Sequence, residues 1–151
     1  MTRDLHGAAN RVLVERFLAG THARDLSDLA VIDETVAERV VCHGFPGGNP
    51  HDRESYKDFF RTFRRSFDEM DWTVGALVAD ERHVAARWRI ESTHCGAFAG
   101  VPASGRRIGF DGMVLYRIDG GRIAECWLHI DEIGLLTAIG ALAPHSARCE
   151  V

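Results

Sequence analysis

The residues best suited to chemistry in this 151-residue sequence lie in its second half. A loop rich in glycine, residues 93–105, separates two strand-like segments, and Asp131 follows the hairpin after it. Trp127 and His129 precede Asp131 at two-residue spacing, so the three side chains share one strand face. A carboxylate walled by aromatic rings loses hydration, which raises its pKa toward neutrality and lets it move protons. The pattern predicts a small-molecule pocket with Asp131 as acid and base.

Each candidate residue also has a structural interpretation, and both stay open at this point. Asp131 directly precedes a short helical segment, where aspartate is a favoured N-cap that typically contributes about 1 kcal/mol. His129 is either a catalytic or ligand-binding imidazole or a structural group. His94 either contacts the substrate or anchors the glycine loop, and His43 has the same two interpretations. An Asp131→Asn substitution separates capping from proton transfer, because asparagine caps well but carries no titratable proton.

Strand periodicity adds aromatic walls to the predicted pocket. Phe110 and Tyr116 alternate along one strand, and a tight turn within Asp119-Gly120-Gly121 puts them on the face of Trp127 and His129. Tyr116 either donates a hydrogen bond or fills the core. The predicted lining residues are Trp127, Tyr116, Phe110, His43 and Trp88. The opposite face of this hairpin is also apolar, which predicts a two-fold homodimer through the sheet face.

The N-terminal half of the sequence is predicted to be helical. Apolar residues recur at three- and four-residue spacing up to Gly20, a usual position for a helix C-terminus. A long loop is expected over residues 44–50, and Asp52 is suited to cap the helix after it. That helix carries an aromatic stripe, interpreted as core, on one side and three arginines largely on the other: Tyr56, Phe59, Phe60, Phe63 and Phe67 against Arg61, Arg64 and Arg65.

The C-terminal half has the two-residue period of strands from Asp71 onward. A turn at Asp80-Glu81-Arg82 and another at Asp119-Gly120-Gly121 predict two β-hairpins, and a short helix is expected after Asp131. Helices followed by antiparallel strands predict an α+β fold.

The composition predicts one globular domain over 1–151, with a core over about 1–142 and a loose tail over 143–151. Hydrophobic residues make up 46% of the chain, enough for one sizeable core. The 18 basic and 22 acidic side chains are interspersed and give a net charge of −4, which argues against nucleic acid as a partner. No apolar run approaches the roughly 20 residues that cross a bilayer, and residues 1–10 lack a signal-peptide core, so no membrane partner and a cytoplasmic location are expected.

Cysteine and histidine spacing predicts neither disulfides nor a metal site. The four cysteines have no CxxC spacing and are expected to be free thiols: Cys42, Cys95, Cys126 and Cys149. Cys42-His43 and His94-Cys95 lack ligand spacing, because neighbouring strand residues point to opposite faces. The glycines of the 96–105 loop do not match a phosphate-binding loop. Neither a metal nor a cofactor is expected.

Four motifs occur in a characteristic order along the chain. They are His43-Gly44 before the first long loop, THCGAFAGVPASG at residues 93–105, YRIDGGRIAECW at residues 116–127, and GLL at residues 134–136 after Asp131. In this order the motifs resemble those of the SnoaL-like polyketide cyclases, which belong to the nuclear transport factor 2-like superfamily. The resemblance covers nearly the whole chain.

The resemblance implies a cone-shaped α+β barrel, a curved antiparallel sheet wrapped around helices with a central pocket, and usually a dimer. It also implies cofactor-independent intramolecular aldol condensation of an aromatic polyketide ester, with the acid/base role of the family's aspartate carried over to Asp131. Family cyclases pair that aspartate with a histidine, but the preceding strand here offers Tyr116 and Arg117, so His94 and His129 are the candidate partners. Isomerisation or epoxide hydrolysis on the same fold, and a non-catalytic ligand-binding module, are the alternatives.

Overall fold

The computed structural model describes residues 2–143, apart from the side chain of Arg3, so the predicted tail from residue 144 onward and Cys149 lie outside it. The described residues form helices and strands in this order: α1 (Thr2–Thr21), α2 (Val31–Thr35), β1 (Val36–His43), α3 (Arg53–Ser66), β2 (Phe67–Ala79), β3 (His83–His94), β4 (Arg107–Asp119), β5 (Arg122–Ile130) and α4 (Glu132–Ala138). Helices precede most of the sheet, which confirms the predicted α+β fold.

The helices begin where their capping residues predict. The Asp52 carboxylate accepts a hydrogen bond from the Ser55 backbone N–H at 2.7 Å, and the Ser55 hydroxyl accepts one from the Asp52 N–H at 3.1 Å. This reciprocal capping box satisfies two N–H groups that would otherwise lack partners at the start of α3. Helix α1 continues to Thr21, one residue beyond the predicted end at Gly20. No helix among residues 2–143 is long and apolar enough to cross a membrane.

The five strands form one open sheet in the order β1-β5-β4-β3-β2. Neighbouring strands are antiparallel except β1, which pairs in parallel with β5, as at Cys42 and Cys126. The predicted antiparallel pairing is confirmed for β2 to β5 but not for β1, and the sheet of the described residues is open where a barrel was predicted. Apolar alternation identifies a strand but carries no information about its direction. The long stretch of chain between β1 and β5 allows them to pair in parallel.

A β-bulge in β5 changes which residues face the helices. Asp119 pairs with Arg122 around the Gly120-Gly121 turn, and both glycines have the positive φ of a tight hairpin turn, 55° and 72°. Ile118 pairs with Ile123, but Arg117 pairs with Glu125, so one extra residue is accommodated at Ala124.

The bulge corrects the predicted strand faces. Beyond it, Trp127 lies opposite Leu115 and His129 lies opposite Met113. Residues directly opposite each other in a sheet share a face, so Trp127 and His129 lie on the face away from Phe110. The prediction that Trp127 and His129 share the face of Phe110 and Tyr116 is wrong, because a one-residue shift exchanges the two faces of a strand.

The core fills the space between the inner face of the sheet and helices α1 and α3. Phe17 of α1 packs edge-on against Tyr56 of α3 at 5.5 Å and against Tyr116 of β4 at 5.7 Å, measured between ring centroids. Two buried thiols from β1 and β5, Cys42 and Cys126, lie 3.7 Å apart at the inner face. The cysteines of the described residues are free thiols, as predicted.

The loop after β1 folds back over the core because of Gly44. Its φ is +80°, and a Cβ there would lie 2.1 Å from the Leu128 carbonyl oxygen, so only glycine fits. The turn directs Phe45 toward α3, where its ring packs edge-on against Phe59 at 4.8 Å and Tyr56 at 5.6 Å. Phe45 thereby becomes part of the wall of a cavity.

Candidate small-molecule site

An apolar cavity lies between the inner face of the sheet and helices α1 and α3. It is lined by Phe17, Thr21, His22, Phe45, Pro46, Tyr56, Phe59, Phe60, Phe63, Arg64, Met70, Trp88, Ile90, Phe110, Val114, Tyr116, Leu128 and Ile130. Its space between atoms is about 640 Å³, solvent at the mouth included, but the centre of a water-sized sphere moves through only about 60 Å³. A single water needs roughly 10–15 Å³ of the space that is open to the centre of such a sphere. The cavity is therefore narrow, and its wall is mainly apolar and aromatic.

His22 is placed in the cavity by the end of α1. Its backbone N–H donates to the Leu18 carbonyl at 3.0 Å, which extends the helical turn by one residue. The imidazole Nδ1 lies 3.2 Å from the same carbonyl and 2.8 Å from the hydroxyl of Thr21, which itself donates to the Phe17 carbonyl. A carbonyl oxygen only accepts, so these hydrogen bonds assign the proton to Nδ1 and leave Nε2 as an acceptor nitrogen without a partner among the described residues.

The imidazole of His22 is neutral at physiological pH. Although the residue retains some accessible surface, burial of the ring lowers its pKa from 6.5 to about 4, and the charge of Arg64 acts in the same direction. The ring stacks on Trp72 at 4.9 Å and meets Phe60 edge-on at 5.6 Å. An unprotonated imidazole with a free nitrogen is a group that can accept a proton from a ligand.

Arg64 of α3 also lines the cavity, and only 9% of its surface is exposed. Its Nη1 donates to the Arg24 carbonyl at 2.9 Å and its Nη2 to the Ala23 carbonyl. The predicted placement on the polar side of α3 is wrong for Arg64. It lies eight residues after Tyr56 and four after Phe60, and this helical spacing puts it on their face.

Residue spacing in the sequence also indicates that His22 lies on a buried helix face. The apolar stripe of α1 continues from Leu18 to His22 at four-residue spacing, past the glycine at which the helix is predicted to end. A stripe that ends in a histidine marks an imidazole on a buried face. Sequence reasoning missed both polar groups, His22 and Arg64, because it ended one helix early and treated three arginines as equivalent.

Three residues predicted to line a pocket do lie on this cavity: Trp88, Phe110 and Tyr116. They come from the inner faces of β3 and β4, and the Trp88 ring meets Phe110 edge-on at 5.9 Å. Burial raises the pKa of Tyr116 well above its ordinary value. Its hydroxyl is therefore protonated and can act as a donor.

Three other predicted residues lie on the outer face of the sheet. The His43 ring stacks on Trp127 at 5.4 Å, and its Nε2 lies 2.9 Å from a carboxylate oxygen of Glu125. That hydrogen bond, with a second from Arg117, lowers the pKa of Glu125. His129 is exposed on the same face. The structure thus brings these residues together on the sheet surface, away from the cavity, and their roles in chemistry stay predictions.

His94 and Asp131 hold structural positions. The Nδ1 of His94, a fully buried residue, accepts a hydrogen bond from the Ser104 backbone N–H at 3.2 Å and so anchors the glycine loop. Asp131 is exposed and caps α4, with its carboxylate accepting from the Gly134 N–H at 2.9 Å. Neither residue lines the cavity. Capping and anchoring are confirmed, and proton transfer by either group stays a prediction.

No three histidine, cysteine, aspartate or glutamate side chains come together as a metal site within residues 2–143.

Comparisons with known proteins give a consistent family. Among curated proteins, none matches the chain significantly. TsrD from Streptomyces laurentii is 25% identical, covers 89% of this chain and 97% of its own, and has a TM-score of 0.77. The candidate polyketide cyclase IdmH from Streptomyces antibioticus is 27% identical, covers 87% and 98%, and has a TM-score of 0.73.

A candidate SnoaL-like polyketide cyclase from Jannaschia sp. CCS1 shares the fold, with a TM-score of 0.79, 21% identity and coverage of 92% of this chain and 95% of its own. The sequence profile of the SnoaL-like polyketide cyclases matches residues 4–139, nearly the whole of the described chain. The chain therefore belongs to the SnoaL-like polyketide cyclase family.

Proposed function

We propose that this protein performs acid/base chemistry on a hydrophobic carbonyl compound held in the cavity, of the kind that closes a ring by intramolecular aldol condensation. The observation that carries the proposal is the neutral imidazole of His22, whose Nε2 has no hydrogen-bond partner among the described residues, in the wall of a mainly apolar, aromatic cavity. Family membership and the resemblance to IdmH, a candidate polyketide cyclase, support the same reaction class.

The proposed steps balance without an additional reactant. Nε2 of His22 takes a proton from the carbon next to a carbonyl group, the resulting enolate carbon forms a bond to a second carbonyl carbon of the same molecule, and the imidazolium returns the proton to the new alkoxide. Such proton transfer contributes typically 10²–10⁴-fold to a rate. An imidazole with a pKa of about 4 is a weak base, which favours a substrate carbon flanked by two carbonyls because its proton is more acidic.

Asp131 is the alternative proton-transferring group. Its carboxylate caps α4 through one oxygen, and the other is available to a ligand that reaches the helix end. Substitutions distinguish His22 from Asp131 as the proton-transferring residue. His22→Gln keeps a hydrogen-bonding side chain at the end of α1 but removes the base, and Asp131→Asn keeps the cap but removes the titratable proton.

The test follows exchange of the C1 protons of 2-tetralone, a flat hydrophobic ketone, with deuterium by NMR. The wild-type protein is expected to accelerate exchange, His22→Gln to lose about 10²-fold or more of that acceleration, and Asp131→Asn to keep it. If Asp131→Asn loses the accelerated exchange and His22→Gln retains it, Asp131 and not His22 is the proton-transferring residue. No acceleration by the wild-type protein would contradict acid/base catalysis.

A non-catalytic ligand-binding module is the second candidate, and the low pKa of His22 favours it, because an imidazole matched to proton transfer at neutral pH would have a pKa nearer 7. In that case 2-tetralone binds to the protein without exchange of its protons. Its affinity is expected to fall in the Phe60→Ala variant, because Phe60 is part of the cavity wall.

A further inference from the structure

Among the described residues, the buried positive charge of the Arg64 guanidinium has no buried counter-charge. The nearest carboxylate oxygen, from Asp68, lies 4.0 Å from Nη1, and the Asp68 side chain is 60% exposed to solvent. The hydrogen bonds from Nη1 and Nη2 go to the neutral carbonyls of Arg24 and Ala23. No carboxylate side chain is among the described residues that line the cavity.

One donor of this guanidinium lacks a partner. The Nε–H of Arg64 is buried and has no hydrogen-bond acceptor among the described residues. A buried donor without an acceptor typically costs about 1–3 kcal/mol, and more when it belongs to a charged group. A buried cation is expensive unless it is paired and hydrogen-bonded. Arg64 belongs to the cavity wall, so an anionic oxygen that reached its guanidinium from the cavity would lower both costs.

We infer that Arg64 is a subsite for an anionic oxygen, so that the cavity selects hydrophobic molecules carrying a carboxylate or an enolate oxygen. The inference rests on the proposed function, since it assigns a role to a second residue of the same cavity. His22 and Arg64 then act as a pair: the imidazole accepts the proton, and the guanidinium stabilises the negative charge that develops on the carbonyl oxygen.

The experiment compares two matched pairs of flat probes by isothermal titration calorimetry. 2-Naphthoate is compared with neutral 2-naphthamide, and ionised indane-1,3-dione with neutral indan-1-one, so one pair reports a carboxylate and the other an enolate. Hydrogen bonds to charged groups contribute typically about 1.5–3 kcal/mol, or roughly 10- to 100-fold in affinity. The wild-type protein is expected to prefer at least one anion by about 10-fold or more.

In Arg64→Met, the ratio of the affinity for the anionic probe to that for its neutral counterpart is expected to fall close to one. Arg61→Met is the matched control, because it removes the same charge from α3 at a position that is exposed and does not line the cavity. A ratio of two affinities within one variant does not depend on that variant's stability. Should Arg64→Met fail to fold, Arg64→Lys tests the Nε–H donor with the charge retained and is expected to lower the ratio.

The outcomes separate this inference from the proposed function. Equal binding of the anionic and neutral probes by the wild-type protein, or a preference that persists in Arg64→Met, overturns the anion subsite and leaves the cavity as a hydrophobic site. If the preference survives both Arg64→Met and Arg64→Lys, the anion is bound elsewhere. Failure of all four probes to bind overturns both proposals.

Discussion

The histidines of this chain differ in what their ring nitrogens are free to do. The Nδ1 of His94 accepts from the Ser104 N–H while its buried Nε2 has no partner among the described residues, and the Nε2 of His43 is paired with Glu125 at the surface. In His22, a residue of the cavity wall, the Nδ1 is held by the Leu18 carbonyl and the Nε2 has no partner among the described residues. The orientation of a histidine by a backbone hydrogen bond determines which nitrogen is available to a ligand. Residue type and spacing alone do not distinguish these three environments.

Burial of His22 predicts an acid-sensitive fold. Its pKa is lowered to about 4 in the folded protein, against 6.5 for an exposed histidine. Between these values the unfolded chain binds a proton that the folded chain does not, so stability is complete above about pH 6.5 and falls as the pH drops toward 4. The loss attributable to this group is roughly 3 kcal/mol or less.

Urea unfolding of the wild-type protein at several values between pH 7 and pH 4.5 measures this slope. His22→Gln is expected to be less pH-dependent over that range. His6→Gln, which removes an exposed imidazole from α1, serves as the control and is expected to retain the wild-type slope. Identical slopes in the wild-type protein and His22→Gln would show that His22 does not resist protonation.

Among the secondary structure elements, α3 is the one that combines core and site. Its Tyr56, Phe60 and Arg64 lie at four-residue spacing on the buried face, and Arg61 and Arg65 point to solvent. All three side chains line the cavity, and the Tyr56 and Phe60 rings stack at 5.5 Å between centroids. Four residues of the aromatic stripe predicted as core also form part of the cavity wall: Tyr56, Phe59, Phe60 and Phe63. The fifth, Phe67, is the first residue of β2 and not part of α3.

A glycine in β4 keeps the Trp88 wall in place. A Cβ at Gly112 would meet the Trp88 ring at 2.3 Å, so Gly112→Ala forces that ring to move within the cavity that it lines. Overpacking of this kind typically costs about 1–3 kcal/mol. Gly112→Ala is expected to lower the melting temperature and weaken 2-naphthamide binding. Gly75→Ala is the control, since its nearest neighbour is the flexible end of Arg87 at 3.4 Å; equal effects in both variants would contradict this account.

The sequence predicted most elements and a smaller part of the site. Capping at Asp52 and the two hairpins are local features, so short-range chemistry identifies them. The inner positions of β3 and β4, such as Trp88 and Phe110, follow from simple alternation. The positions of Trp127 and His129 could not be predicted, because the bulge at Ala124 has no glycine or other local signature. The parallel pairing of β1 is a long-range contact that periodicity does not specify.

At the scale of the whole molecule, the outer face of the sheet is the part that residues 2–143 leave uncovered. Several large apolar residues are exposed there and surround the stacked His43 and Trp127 rings: Val41 at 52%, Met113 at 54% and Leu115 at 38%. Contiguous apolar surface on a sheet marks an interaction site. We propose that two copies of the chain pair through this face as a two-fold homodimer.

Met113→Glu tests the proposed dimer by placing a charge in the middle of that face. A glutamate carboxylate buried in the interface without a partner is unfavourable. The variant is therefore expected to sediment as a monomer where the wild-type protein sediments as a dimer. Val12→Glu, at a residue that is 62% exposed on α1, is the matched control and is expected to stay dimeric. A wild-type monomer at micromolar concentration would contradict the proposal.

The extra residue at Ala124 also affects how sites are compared between relatives. Alternation counted from the hairpin turn assigns a face of the sheet to each position of β5. After Ala124, every position lies on the opposite face from the one so assigned. In a homologue without this insertion, the aligned columns of Trp127 and His129 would project inward, and those of Leu128 and Ile130 outward. Transfer of catalytic assignments within the family is therefore valid along β5 only between chains that share the same strand parity.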